Sequence, residues 1–421
     1  MRSFALCAVA ACFTCSATPA AMNDSDNGAT AGQGGDGSSD DEDANVAKDA
    51  AAAPDTGAQS QDGSTRPSEN AGGWWKPEWK FRALVEVSPP QNASLADFPL
   101  LVRVPKAKFG SKLREDAADM RFVSEQGNLL AAEREDSSKD FLFWVKAPEI
   151  PAHGSVLKLW MYFGNPEATV ASREAQAQTW DATFAGVWHL FGPQDSSAQK
   201  ADATTVTGTY SDSKIGRGLQ LDADKQQQFS LPEKMRVLSG VASTTVSSWI
   251  KLTDARGNMG LLAIGQDRRK DGNTGHPALE LVVGWGPRGG AIKSRAIPNT
   301  ELGQYDSEAV ANEAMDVDVG EWTHVAVVSD LAARVAKFYR NGVLTDTLKD
   351  VKYGAPAFDS DLVAESSSIG SNANGCCYYF HGAIDEVRLQ TRARSDAWIK
   401  AEYAFSADPT LVKLGDAEAL P

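Results

Sequence analysis

The chain has 421 residues, 42% of them hydrophobic and 8% aromatic, and a net charge of −15. This length fits two or three domains with real cores. Phosphate binding requires clustered Lys and Arg; the sequence has no such cluster, so nucleic acid is not expected as a partner.

The N-terminus, "MRSFALCAVAACFTCSATPAAM", places one arginine before a short apolar run and then small residues. This is the three-part layout of a secretory signal peptide. The run is shorter than the about 20 apolar residues that span a bilayer. Cleavage after Ala20 or Ala21 makes residues 1–21 the leader. The alternative is that "VAAC" acts as a lipoprotein box, with Cys12 lipidated. Either reading exports the protein, to the periplasm or the cell surface. No later segment is apolar enough to cross a membrane. Cys7, Cys12 and Cys15 lie in the leader, so plain cleavage leaves Cys376 and Cys377. In an oxidising compartment these two either form a disulfide with each other or stay as thiols.

Residues 22–72 are rich in Asp, Gly, Ser, Ala, Gln and Thr. Eleven acids there face only Lys48 and Arg66, so more than half of the net charge sits in this segment. With almost no large apolar side chains it cannot offset its ordering entropy, and it is expected to be a disordered acidic linker.

Composition changes at "GGWWKPEWKFRALVEV". From there, short alternating apolar runs ("RALVEV", "FPLLVRV", "DFLFWVKAPEI", "VLKLWMYFG") read as strands separated by turns. They predict a small all-β domain over 73–168. "ATVASREAQAQTWDATF" then suggests a connecting helix over 169–183, with Ser172 as its N-cap. A second strand series follows from "AGVWHL" onward, including "TTVSSWIKL", "EWTHVAVVSD" and "GAIDEVRLQ". In "YRNGVL", Asn-Gly supplies the positive φ of a two-residue hairpin. "SDAWIKAEYAF" alone in this half reads as a helix, capped by Ser395. Many short strands with little helix define an all-β chain: a small β-sandwich, then a second two-sheet sandwich over 184–411.

The order of "GRGLQLD", "VSSWIKL", "EWTHVAVVSD", "KFYRNGVL", "SSIGS" and "FHGAIDEVRLQTRARS" resembles the laminin-G-like, concanavalin-A-like jelly-roll family. Trp322, His324, Val325, Tyr339, Asn341, Gly342, Gly382, Ile384, Asp385, Glu386, Val387 and Arg388 occupy its motif positions. Residues 74–168 resemble a bacterial exported family of unknown function through "WKFR", "DMRF" and "YFGNPEA". That family often precedes laminin-G-like domains, and some relatives are fused or adjacent to energy-transducing proton-channel proteins of the cell envelope. The resemblance implies a binding protein for glycan or another envelope component. Its rivals are a protein-interaction subunit of a proton-channel complex, and a glycosidase or lyase with an unfamiliar site.

Candidate chemistry is sparse. Glycosidases need two carboxylates about 5–10 Å apart facing one substrate, and neighbours on a regular strand point to opposite faces. Asp385 and Glu386 are therefore not expected to act as a pair. The Glu-x-Asp-x-x-Glu or Glu-x-Asp-x-Glu run of jelly-roll glycosidases does not occur. One of the two is expected to pair with an arginine or cap a turn; a structural calcium is the alternative role, and no other cofactor is expected. Cys376 and Cys377 lack the further ligands of a zinc site. His189 and His324 sit inside strand patterns and are read as structural. Trp74, Trp75, Trp79, Trp285, Tyr378 and Tyr379 lie at strand edges or in loops, where an exposed aromatic face can take a sugar ring, although packing is the expected role of each. Trp285, Tyr378 and Tyr379 are the ligand-binding candidates, at one rim of the sandwich.

Overall fold

The computed structural model describes residues 73–135, 137–233, 235–265, 277–284, 290–296, 308–360, 362, 366–373 and 375–421. The described chain is all-β, with strands paired antiparallel in four sheets. In the first domain Phe81–Val87 is a central strand of a six-stranded sheet. It pairs with Leu157–Phe163, which continues to Arg121–Ser124 and the edge strand Leu129–Leu130. Facing it is a three-stranded sheet of Leu95–Val104, Phe141–Ile150 and Ala132–Glu135. Between the two sheets lie Val85, Leu100, Phe122, Val145 and Met161, all fully buried.

The second domain stacks an eight-stranded sheet on a seven-stranded one. Gly382–Gln390 and Ser243–Leu252 run side by side at the centre of the larger sheet. Asn341 and Gly342, with φ of 49° and 75°, close the hairpin between Val335–Arg340 and Val343–Leu348. Leu221, Ile250, Leu262, Phe338 and Ile384 fill the space between the sheets.

Two features join the domains. The chain after Leu411 returns to the first domain, where Val412–Leu414 and Glu418–Ala419 pair with Phe81–Val87. Secondly, the outer face of the eight-stranded sheet is covered. Trp249, Ala326, Val328 and Tyr339 share a core with Leu101, Trp144 and the helix Asp396–Ala407. Ser395 caps that helix through Trp398 N–H at 3.2 Å, and Phe98 packs edge-on against Trp398 at 4.8 Å. Gly382–Gln390 is consequently buried along both faces, which is why its sequence reads apolar-polar while its polar half also lies inside.

Candidate functional site

Leu221, Leu252 and Gly382 lie side by side at one end of the larger sheet, so the loops at that end converge. Residues 371–373 and 375–381 are held there by their own polar groups. Asn372 Oδ1 accepts from Cys376 N–H at 3.0 Å, Asn372 N–H donates to the Cys377 carbonyl at 3.0 Å, and Tyr379 donates its hydroxyl to the Gly375 carbonyl at 2.7 Å. Gly260 N–H donates to the Tyr378 carbonyl at 2.7 Å. That approach needs glycine: a Cβ on residue 260 would stand 2.5 Å from the Ser371 carbonyl oxygen. Tyr378 adopts φ +59°, the left-handed region, and both tyrosine residues are half-buried. The Cys376 and Cys377 sulfurs are 3.0 Å apart, against about 2.0 Å in a disulfide. Trp285 lies outside the described residues.

Charged groups flank this loop. His381 Nδ1 accepts from Ala223 N–H at 3.1 Å and lies 3.6 Å from Asp222 Oδ1. Asp222, Asp224 and His381 have donor atoms close enough to share a cation. Each aspartate already has a counter-ion: hydrogen bonding to Lys225 holds Asp222 below the usual carboxylate range, and hydrogen bonding to Arg256 does the same for Asp224.

The other aromatic candidates do not form a platform. Trp74 and Trp79 are buried, and their indole N–H groups donate to the Trp79 and Asp119 carbonyls. Trp75 tilts against Trp79 with centroids 4.8 Å apart. The Arg82 guanidinium lies over Trp74 and Trp160, at 4.8 and 3.9 Å. These tryptophans close the end of the first domain, because Tyr162 and Val123 give them an apolar surface to bury against.

A second concentration of titratable groups lies in the seam between the domains, and sequence reasoning did not find it. His189 Nδ1 meets Glu386 Oε1 at 2.6 Å and its Nε2 meets Glu133 Oε2 at 3.3 Å. Arg388 donates to Glu386 Oε2 at 2.7 Å and stands over the Trp144 ring at 4.3 Å. Trp180 donates to Glu133 Oε2 at 2.6 Å, Trp144 to Glu135 Oε2 at 2.7 Å. His324 Nε2 lies 3.3 Å from Glu402 Oε1. Both histidines are hydrogen-bonded inside the protein, in keeping with a structural role.

Electrostatics follow from burial and proximity. Burial alone would lower the His189 imidazole, but the charges of Glu386 and Glu133 outweigh it and hold it well above its ordinary value. Burial would raise Glu386 and Glu402; His189 and Arg388 lower the first, and Arg388 with His324 brings the second to about 2. Glu135 and Asp385 are pushed well up, by burial first and by the Glu386 charge second. Glu135 Oε1 and Asp385 Oδ1 are buried with no hydrogen-bond partner.

The strand is not regular where the sequence pattern took it to be. Between Asp385 and Arg388 the register slips against Ser247 and Trp249, and Glu386 takes φ +57°. This β-bulge breaks the strict alternation expected of Asp385 and Glu386. Glu386 pairs with Arg388, while Asp385 Oδ2 accepts from Ile215 N–H at 2.8 Å and ties down the turn before Arg217–Leu221. Acids do converge here, but no water-sized space lies beside Glu386, Arg388 and Glu402.

The class defined by this fold is the concanavalin A-like sandwich. Residues 222–400 match the Concanavalin A-like lectin/glucanases superfamily, and residues 116–189 match a domain of unknown function, DUF2341. The chain thus carries a concanavalin A-like domain preceded by a domain of unknown function. No curated protein matches it. Among solved structures it is similar to domain 4 of AbnA, a GH43 extracellular arabinanase from Geobacillus stearothermophilus, in complex with arabinotriose: 20% identity over 53% of this chain and 100% of that one, TM-score 0.40. It is also similar to the botulinum neurotoxin serotype G binding domain (12%, 53% and 51%, TM-score 0.39). A third is the Ruminococcus gnavus IT-sialidase CBM40 bound to α2,3-sialyllactose (18%, 44% and 92%, TM-score 0.31). The chain spans all of the arabinanase domain but about half of the toxin binding domain. At these scores the similarities carry no functional weight. Among the described residues no helix is long and apolar enough to cross a membrane.

Proposed function

We propose that this is an exported binding protein that takes a glycan at the loop rim of its concanavalin A-like domain, without turning it over. The observation that carries the reading is the pair of half-buried tyrosines, Tyr378 and Tyr379, on a loop pinned by Gly260, Asn372 and Gly375. Tyrosine offers a rigid apolar face and a polar tip, so little entropy is lost when a ligand settles on it. The neighbouring carboxylates Asp222 and Asp224 could accept hydrogen bonds from sugar hydroxyls. The match to a superfamily of lectins and glucanases supports the ligand class. Binding without turnover is favoured by the packing beside Glu386 and Glu402, where no water-sized space is left.

A glycan array probed with the full chain, with and without added calcium, tests this, followed by calorimetry on any hit. Tyr378→Ala or Tyr379→Ala should weaken the bound glycan at least tenfold, about 1.4 kcal/mol. An array without a hit, or affinities untouched by both substitutions, would refute the rim as the site.

A further inference from the structure

We propose that Cys376 and Cys377 are an oxidation site, a vicinal thiol pair that closes reversibly to a disulfide and so sets the shape of the tyrosine rim. The oxidation stands by itself; its consequence for ligand binding rests on the glycan reading above.

Four observations lead there. First, the two sulfurs already touch, 3.0 Å apart. Secondly, one side chain gathers them: Asn372 Oδ1 accepts from Cys376 N–H, and its amide nitrogen lies 3.4 Å from the Cys376 sulfur and 3.0 Å from the Cys377 sulfur. Thirdly, Cys376 is exposed and Cys377 half-buried, so an oxidant reaches one sulfur first. Fourthly, the sequence has no other cysteine beyond residue 15, so if the leader is removed each is the other's nearest partner within the chain.

The chemistry balances with an external disulfide as oxidant. Cys376 attacks one sulfur of oxidised glutathione, giving a mixed disulfide and one reduced glutathione. Cys377 then attacks Cys376, and the second glutathione leaves with its thiol proton. Two cysteine thiols have lost two electrons and two protons; one disulfide has become two thiols. Neighbouring residues have Cα atoms about 3.8 Å apart, below the usual disulfide range of about 4.4–6.8 Å. The ring is therefore strained and more easily reduced than a structural disulfide. Tyr378 follows the pair directly at φ +59°, so closing the ring acts on the backbone that presents both tyrosines.

The full chain is incubated with oxidised glutathione, alkylated and digested, and the peptide holding both cysteines is weighed. The expected peptide is two hydrogens lighter than the reduced one, unalkylated, and restored by dithiothreitol. Cys377→Ser should instead stop at the glutathione adduct on Cys376. A persistent adduct in the natural chain, or full alkylation of both thiols after oxidant, overturns the ring. For the rim, affinity for an array-selected glycan should differ at least about threefold between oxidised and reduced protein, and Cys376→Ser should abolish the difference. Ring formation with equal affinities overturns the link to the rim. Ring formation in a protein that binds no glycan overturns the glycan reading and leaves the oxidation site standing.

Discussion

Replacing His189 with alanine tests whether the seam holds the two domains together. The imidazole is 2% exposed, meets Glu386 at 2.6 Å and Glu133 at 3.3 Å, and stacks between Trp144 and Phe191 with centroids 5.9 Å away on each side. Its removal leaves buried carboxylates short of a counter-charge. Breaking a buried pair in this way costs about 3–5 kcal/mol, a large part of the about 5–15 kcal/mol that holds a domain folded. Urea unfolding followed by tryptophan fluorescence reads the loss, since Trp144 and Trp180 border the network. The pH dependence sharpens the test. A histidine held above 6.5 in the folded state binds its proton more tightly there than in the unfolded chain. Its contribution is complete below pH 6.5 and is lost as pH rises through the higher folded value. The difference between natural and substituted protein should therefore be largest below pH 6.5 and shrink as pH rises toward the alkaline range. A difference under about 1 kcal/mol, or one that does not change with pH, would refute the seam as an electrostatic lock.

Three further outcomes are expected. Gly382→Ala places a Cβ 2.1 Å from the Lys251 carbonyl oxygen, at φ +151°; it should cost more than about 2 kcal/mol in urea unfolding, and a neutral result would mean that the strand start shifts freely. Removing residues 412–421 strips half-buried Val412, Leu414 and Leu420 from the first domain and should cost about 3 kcal/mol, roughly 1 kcal/mol each. The Arg82–Glu418 pair, with Glu418 exposed, adds little to that loss. Tyr339→Phe deletes a hydroxyl that donates to Asp396 Oδ1 at 2.8 Å and should lower stability by about 1 kcal/mol, measured by the same unfolding curve.

What could be read in advance was local. Asn341–Gly342 marks its hairpin because only certain residues accept positive φ. Ser395 marks a helix start because its hydroxyl reaches an orphan N–H three residues on. The seam left a faint trace: Glu133 and Glu135, two apart on one strand, point to the same face. Two glutamates on one face of a strand usually signal solvent, and nothing nearby showed that His189, Glu386 and Arg388 would meet them. The bulge at Glu386 was hidden for another reason. A non-glycine residue stands where positive φ is required, so no turn residue gives it away. Trp74 and Trp79 pack, as expected of them, because Tyr162 and Val123 give them an apolar surface to bury against.

The order of side chains along the chain by itself determined a β architecture, its turns and its helix caps, since a two-residue period and a turn dipeptide act over a few bonds. Which charges lie inside, and that the C-terminal residues complete the first domain's sheet, were decided only by tertiary structure. Those partners are separated by 197 residues for His189 and Glu386 and by 336 for Arg82 and Glu418. Over such separations sheet register and packing, rather than local preference, choose which side chain meets which.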